Sequence, residues 1–337
     1  MVIMILVFGF IFGGIIQYAN LNKFNVISGL ARLEDFAVLK AIAVAVGLGI
    51  LFMNIEIGMG LATYHVKPLI VGGIVFGGLI FGTGMAILGY CPGTLPISLG
   101  QGSVDAFIGI VGGLFGGLVY TLISPSLSGI LGPDLGVISV NSLIGTNFIF
   151  YIVSIVIAAL FVAIAFWLHK KEKTTNYKWL YAGIALAILN SIMILIPVFN
   201  RPIGASTSFP YTANLITGLT QNDYFSKIET PGNWELIFLT GAFLAGLIIS
   251  LIKKDFKITL IYSSWKEFKG VSKIKRIVWS FIGGFVLIIG ARIADGCTSG
   301  HILSGGMQLA ISSLLFIVTT FTGLLITGKF FYKRPVD

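Results

Sequence analysis

The chain has 337 residues, of which 56% are hydrophobic and only 10% are charged, and its formal net charge is +9. Soluble globular proteins carry about 25% charged residues, so this composition excludes a water-exposed surface over most of the chain. The basic residues fall in short loops between apolar runs, which indicates membrane orientation rather than nucleic-acid binding.

Apolar runs long enough to cross a bilayer recur along the chain. A bilayer core takes about 20 apolar residues per helix. About nine segments meet this criterion, at roughly 1–17, 37–54, 69–89, 104–123, 147–168, 179–198, 234–252, 277–294 and 308–328. The first segment lacks a basic start and a cleavage site, so it is predicted to be a membrane helix and not a removable signal peptide. We therefore predict an all-α polytopic membrane protein with about nine transmembrane helices.

The basic residues also predict how these helices are oriented. They concentrate on one side of the predicted spans, in the loops at 18–36, 169–178 and 253–276 and in the tail after Gly328. By the positive-inside rule this side is cytoplasmic, which places the N-terminus outside and the C-terminus in the cytoplasm. The expected location is the cytoplasmic (inner) membrane. The long loop 199–233 contains three prolines and is predicted to form an external cap or a mobile lid.

The two halves of the chain show a faint internal similarity. Residues 9–26 align with 241–258, and GMAILGYC at 84–91 aligns with GARIADGC at 290–297. In the predicted topology the two cysteine segments lie on opposite sides, so the halves are inverted, as in many transporters. A chance match of two glycine-rich helices remains the alternative. We predict one transmembrane transporter domain over 1–337, with repeat one at about 1–123, connecting helices at about 147–198 and repeat two at about 234–328.

Each of the two cysteines lies in a glycine-rich break after a long apolar helix. The first break is GYCPGT at 89–94, and the second is DGCTSGH at 295–301. The stretches that follow, at about 95–102 and 302–306, are too short to cross a bilayer. Non-helical backbone at membrane depth persists only where protein or water satisfies it. We therefore predict two re-entrant loops with short re-entrant helices, which enter from opposite faces and give an hourglass.

The residue types in these loops favour an anion that carries a sulfur atom. A short helix after each cysteine directs free N–H groups toward the membrane centre, and neutral thiols are weak donors and polarisable groups. A reference cysteine pKa of about 8.5 keeps them protonated near neutrality. The alternative is that each cysteine is only a small buried residue. The candidate substrate-binding residues in the two loops are Cys91, Gly93, Thr94, Cys297, Thr298, Ser299 and Gly300.

Two further residues near the second cysteine are candidates for binding. Arg292 lies within an apolar run, where an ionisable residue is a functional candidate by default; it either orients an anion, or snorkels or pairs with Asp295. His301 either handles a proton or makes a structural hydrogen bond to the backbone. A zinc site needs three or four ligands, so we predict no metal and no cofactor.

The motifs GYCPGT at 89–94 and GARIADGCTSGH at 290–301 resemble those of the YeeE/YedE family of sulfur-compound membrane transporters. This resemblance implies uptake of thiosulfate through a pseudo-symmetric hourglass, in which pore cysteines pass the anion along by S–H···S hydrogen bonds. Cys91 and Cys297 match two of those cysteines. A third family cysteine, in an R-F-C type motif, matches the last position of the stretch KFN in this chain. Asn25 stands there, and its amide retains a hydrogen-bond donor.

These observations predict a transporter for a small inorganic sulfur anion, with thiosulfate as the leading substrate, and no enzyme. Three alternatives remain open: a membrane thiol enzyme such as a sulfurtransferase, which would need an accessible thiolate; a scaffold subunit without a pore; and a transporter for another sulfur or selenium species. The expected partners are the sulfur anion, the lipid bilayer and, as a candidate, a cytoplasmic sulfur-carrier protein. No nucleic-acid partner is predicted.

Overall fold

The computed structural model describes residues 1–127, 129, 131–219 and 222–333, and within these ranges the chain is helical without β-strands. The α-helices are, in chain order, α1 (Val2–Tyr18), α2 (Phe24–Ala31), α3 (Ala37–Gly58), α4 (Val71–Leu88), α5 (Leu95–Gly100), α6 (Val104–Leu127), α7 (Val140–Ile144), α8 (Phe148–Glu172), α9 (Lys178–Ile194), α10 (Ser208–Thr217), α11 (Asp223–Ile252), α12 (Ser263–Lys269), α13 (Lys273–Ile293) and α14 (Ile311–Phe331). A π-helix, Thr298–Gly305, lies between α13 and α14.

Each apolar segment predicted from the sequence coincides with one of these helices. Among the described residues, seven helices are long and apolar enough to cross a membrane, namely α3, α4, α6, α8, α11, α13 and α14. Helices α1 and α9 are apolar but have only 17 residues each. The prediction of an all-α polytopic membrane protein is confirmed, whereas the number of crossings stays a prediction.

Small residues let the central helices pack closely. A Cβ atom added at Gly77 of α4 would lie 2.8 Å from the carbonyl oxygen of Gly290 in α13, so these two helices meet backbone against backbone. Helix α14 packs against α4, α6 packs against α13, and α1 packs along α11. A pseudo-two-fold axis would place matching helices of the two halves against each other, as α4 lies against α13 and α1 against α11. The inverted repeat itself stays a prediction.

The segment 199–233 differs from the long loop predicted for it. Helix α10 forms within it and packs against α6 and α11, and α11 already begins at Asp223. Asn222 caps α11 by accepting a hydrogen bond from the N–H of Phe225 at 3.0 Å. The prediction of one loop is wrong here because the first turns of α11 are polar. Several of their residues line a cavity, described below, and so a search for apolar runs missed them.

Candidate functional site

The two cysteine loops contact each other. A Cβ atom added at Gly93 would lie 3.2 Å from the hydroxyl oxygen of Ser299, so the first loop touches the start of the π-helix. Both cysteines are free thiols; Cys91 is half-buried and Cys297 is buried. The structure thus brings the two predicted loops together at one junction, although they are far apart in sequence.

Local hydrogen bonds fix the shape of the Cys91 loop. Gly89 ends α4 in the left-handed conformation, with a φ of 79°, which glycine adopts without strain. The hydroxyl of Thr94 accepts a hydrogen bond from the N–H of Cys91 at 3.0 Å and donates one to its carbonyl at 3.1 Å. The Thr94 hydroxyl is therefore occupied in holding the turn. Helix α5 has only six residues, fewer than two turns.

A buried ion pair lies beneath this loop. Arg276 and Asp105 are both fully buried, and their side chains form a salt bridge of 2.5 Å. Arg276 also donates to the carbonyl of Leu88 at 2.8 Å, at the end of α4. The hydroxyl of Tyr90 donates to the carboxylate of Asp105 at 3.2 Å. These contacts satisfy carbonyls that the helix end leaves free and anchor the residue next to Cys91.

The Cys297 loop is anchored in a different way. The ring of His301 is fully buried; one ring nitrogen lies 2.8 Å from the carbonyl of Ala294 and the other 3.0 Å from the hydroxyl of Ser313. The same ring stacks on Phe316 at a centroid distance of 4.6 Å. His301 therefore ties the end of α13 and the π-helix to α14. The structural hydrogen bond to the backbone is what the structure shows, and a proton-handling role stays a prediction.

A large cavity, which we call the vestibule, opens onto the Cys297 loop. Its volume is about 1420 Å³, and both Cys297 and Gly300 line it. Among the described residues, four cations line its wall, namely Lys67, Arg201, Lys227 and Arg292. Four carboxylates line it as well, namely Asp134, Asp223, Glu235 and Asp295. The vestibule as a whole is therefore close to electrically balanced.

The floor of the vestibule is locally positive. Lys67 and Arg292 both pair with Asp295, at 3.1 and 2.8 Å. Two cations share one carboxylate, which leaves an excess positive charge two residues from Cys297. Arg201 has its own carboxylate partner, Glu235, at 3.2 Å. An anion that enters the vestibule is therefore drawn toward the Cys297 loop.

Arg292 is buried, and hydrogen bonds engage its guanidinium on several sides. It donates to the hydroxyl of Tyr224 at 2.7 Å and to those of Ser206 and Thr207 at 3.2 and 3.1 Å, besides its pair with Asp295. Of the alternatives that the sequence left open, the pair with Asp295 is observed. The residue holds α13, α11 and the segment before α10 together around the vestibule, and direct contact with an anion stays a prediction.

A second, smaller cavity, which we call the apolar cavity, adjoins the same loops. Its volume is about 330 Å³, and aliphatic and aromatic side chains from α1, α2, α3, α8, α9 and α14 form most of its lining. Among the described residues, the polar side chains that line it are Cys91, Thr94, Thr298, Ser299 and Thr320. All but Thr320 belong to the two cysteine loops.

The π-helix separates the vestibule from the apolar cavity. Cys297 and Gly300 line the vestibule, whereas Thr298 and Ser299, which lie between them in sequence, line the apolar cavity. Cys91 lines the apolar cavity. Residues 297–300 therefore contribute to the lining of both cavities, with Cys297 on the vestibule and Cys91, from the other loop, on the apolar cavity.

The structure places Asn25 away from this junction. Its amide nitrogen donates to the hydroxyl of Ser263 at 2.8 Å, and its amide oxygen accepts from the N–H of Ser264 at 3.2 Å, both at the start of α12. In the described part of the chain Asn25 lines neither cavity, although Leu21 and Ile27 on either side of it line the apolar cavity. A role for Asn25 in binding stays a prediction.

Sequence reasoning missed the anchor of the Cys91 loop. It counted Arg276 among the basic residues of a cytoplasmic loop, but α13 begins at Lys273 and buries Arg276 completely. Asp105 could have indicated this pair from the sequence, because a carboxylate at the start of an apolar span is usually paired with a cation. The Ser206, Thr207 and Tyr224 contacts to Arg292 were missed because they lie in the segment taken as a loop.

Comparisons with known proteins identify the family of the chain. A family model described as sulphur transport matches residues 22–326. The thiosulfate transporter TsuA of Spirochaeta thermophila is 27% identical over 334 residues, which covers 92% of this chain and 93% of that protein. Both cysteine loops lie within the matched range.

Proposed function

Because the chain belongs to the sulphur transport family, we propose that it takes up thiosulfate through the junction of its two cysteine loops. Membership of this family agrees with the sequence resemblance to YeeE/YedE proteins, and with the expectation of a transporter for a sulfur compound and not an enzyme. The relative TsuA is named as a thiosulfate transporter, which supports thiosulfate as the substrate here.

The observation that carries the proposal is the position of the two thiols on opposite sides of one thin wall. Cys297 lies at the floor of the charged vestibule, and Cys91 lines the cavity beyond it. An anion held at Cys297 has only the junction of Gly93 and Ser299 to cross before it meets Cys91. Two S–H donors that follow each other along the path suit an anion that moves from one thiol to the next.

The chemistry of the junction suits thiosulfate. This anion has a tetrahedral centre, three oxygen atoms and one terminal sulfur, so one end accepts hydrogen bonds from hydroxyls and the other is soft and polarisable. Protonated thiols are soft, weak donors that match the terminal sulfur, and the excess charge from Lys67 and Arg292 balances part of the anion's charge. Sulfate lacks the soft end and gains less from the thiols.

The basic loops support a multi-pass protein of the cytoplasmic membrane with an external N-terminus and a cytoplasmic C-terminus. In this orientation the vestibule, which is lined largely by residues of the external loops, opens to the outside. The anion then enters from the outside. A cytoplasmic sulfur-carrier protein remains our candidate acceptor on the other side.

Uptake of radiolabelled thiosulfate into proteoliposomes tests the proposal. The wild-type protein should accumulate label above empty liposomes, and unlabelled thiosulfate should compete far better than sulfate. Competition by sulfite, selenite and sulfide ranks how well the protein accepts other sulfur and selenium species. Uptake no faster than in empty liposomes would refute transport of thiosulfate, and equal competition by sulfate would refute a role for the terminal sulfur.

A further inference from the structure

Three lysines where α12 meets α13 form a cationic cluster. Lys269 ends α12, and Lys273 and Lys275 lie in the first turn of α13, with residues 270–272 between the two helices. Burial and the charge of Lys275 lower the pKa of Lys269, so two of the three ammonium groups interact. Within the described ranges none of the three forms a salt bridge, not even with Glu267 of α12. Like charges this close repel one another, so the cluster favours an anionic partner.

Aromatic rings from three helices hold this cluster in place. The ammonium group of Lys269 lies 4.0 Å from the ring centroid of Phe331, at the end of α14. Phe331 in turn contacts Trp265 of α12 and Trp279 of α13, at centroid distances of 6.1 and 4.9 Å. Trp265 is fully buried, and Trp279 is half-buried. The cluster is therefore displayed by a packed junction of α12, α13 and α14.

Apolar side chains beside the lysines are exposed. Ile274 is 75% exposed, Val271 65% and Val278 48%. Ile274 and Val278 belong to α13, which is apolar enough to cross a membrane, so they face lipid tails while Lys273 and Lys275 reach the level of the headgroups. Lysines interleaved with exposed apolar residues at the end of a spanning helix are typical of contact with anionic lipid.

Another lysine cluster on the same side of the predicted topology has a different setting. Lys170 and Lys171 lie in the last turn of α8, and Lys173 is its C-cap. Cations are favourable at this end of a helix, because the helix dipole is negative there. Lys273 and Lys275 lie at the opposite end of their helix, and the first turn of α13 has no acidic residue. The fold therefore stabilises the lysines of α8 but not those of α13.

We propose that Lys269, Lys273 and Lys275 bind the phosphate headgroup of an anionic phospholipid such as phosphatidylglycerol. The acyl chains of this lipid lie along Ile274 and Val278, on the exposed face of α13. The inference goes beyond the transport of thiosulfate, and only the side of the membrane rests on the proposed orientation, in which this junction is cytoplasmic.

The lipid site connects to the Cys91 loop through one tryptophan. Trp265 packs on Phe331 of the junction and also lies with its ring 4.6 Å from the guanidinium of Arg276. Arg276 donates a hydrogen bond to the carbonyl of Leu88, at the end of α4 just before the Cys91 loop. A lipid that steadies the junction should therefore raise the rate of uptake as well.

Native mass spectrometry of the purified protein measures lipid binding without any transport. The wild type should retain phosphatidylglycerol in preference to phosphatidylcholine, which carries no net charge. The triple variant Lys269→Gln/Lys273→Gln/Lys275→Gln should retain severalfold less phosphatidylglycerol, because it loses the charges that bind the headgroup. Thermal unfolding in detergent checks that the variant is folded.

The matched control removes the same charge from the end of α8. Lys170→Gln/Lys171→Gln/Lys173→Gln should retain as much phosphatidylglycerol as the wild type. Equal retention by the two triple variants would overturn the site, because general surface charge would then explain the binding. Displacement of the lipid by excess inorganic phosphate would overturn it as well, since the cluster would then be a site for a soluble anion.

Uptake in proteoliposomes of two compositions tests the link to transport. Adding phosphatidylglycerol to phosphatidylcholine should raise thiosulfate uptake severalfold in the wild type and in the α8 control, and should leave the rate of the variant at Lys269, Lys273 and Lys275 unchanged. The same increase in all three proteins would refute a role for this site in transport. Absence of uptake by the wild type in both compositions would refute the proposed function, and lipid retention would still decide the site.

Discussion

The vestibule and the apolar cavity meet at the same two loops, yet they are lined by opposite kinds of residue. The vestibule has eight formally charged side chains among its described lining residues, and the apolar cavity has only uncharged ones. Its polar groups are hydroxyls and a thiol. The chain therefore presents charge on one side of the cysteine loops and weak, neutral donors on the other.

This difference indicates how an anion can be admitted without being trapped. Paired charges attract an anion at long range while it is still hydrated. Full charges in a water-excluded cavity would hold it too strongly, because electrostatic interactions grow as the local dielectric constant falls. Conduction needs binding that is favourable on entry and weak enough on exit.

The largest effect should come from removing the anchor of the Cys91 loop. Arg276→Met leaves the buried carboxylate of Asp105 without its partner, which costs about 3–5 kcal/mol of stability. Uptake should be lost, and thermal unfolding in detergent should shift strongly downward. The comparison variant is Arg32→Met, which breaks a pair with the largely exposed Glu34 and leaves no carboxylate buried without a partner, so it should cost clearly less stability. Equal shifts for both variants would show that the buried pair does not support the loop.

A smaller effect should come from crowding the junction between the cavities. Gly93→Ala brings a methyl group to 3.2 Å from Ser299, so the two loops must separate slightly, and overpacking of this kind should lower uptake about tenfold. Gly14→Ala is the control, because Gly14 lines neither cavity and an added Cβ there meets Ile249 at an ordinary contact distance of 3.5 Å. The measurement is the initial uptake rate per folded protein. Equal rates for Gly93→Ala and the wild type would mean that the anion does not pass between Gly93 and Ser299.

The smallest effect should come from the vestibule charges. Lys67→Met removes one of the two cations that share Asp295, so the KM for the anion should rise severalfold while the maximal rate stays similar. The effect should shrink at high salt, because this lysine is partly exposed. Lys266→Met, on the exposed side of α12, should change neither parameter. A fall in the maximal rate without a change in KM would place Lys67 in the transport step rather than in attraction.

The sequence predicts the helical class and the cysteine loops because their signals are local. Each apolar run gives its own helix, and each glycine-rich break, such as the one ending α4 at Gly89, needs only its own residues to be visible. The contact between the two loops, at Gly93 and Ser299, is not local. It depends on how α4 packs against α13, which a single sequence does not reveal.

Polar residues inside the fold were the hardest to predict. The positive-inside rule counts Arg276 as one of the basic residues of the loop 253–276, whereas the structure buries it and pairs it with Asp105 in the interior. Arg292 was recognised as a candidate, but its hydroxyl partners lie in a segment that is polar and therefore was taken as a loop. For His301 the sequence leaves open a proton-handling role or a structural hydrogen bond to the backbone, and the partners Ala294 and Ser313 are visible only in the packed structure.

The central claim is that both thiols take part in transport, one on each side of the wall. Initial rates of radiolabelled thiosulfate uptake by Cys91→Ala and Cys297→Ala, at equal amounts of folded protein in proteoliposomes, test it most directly. Both variants should fall to the background of empty liposomes, because each removes one of two donors that act in series. Uptake at the wild-type rate by either variant would contradict the claim.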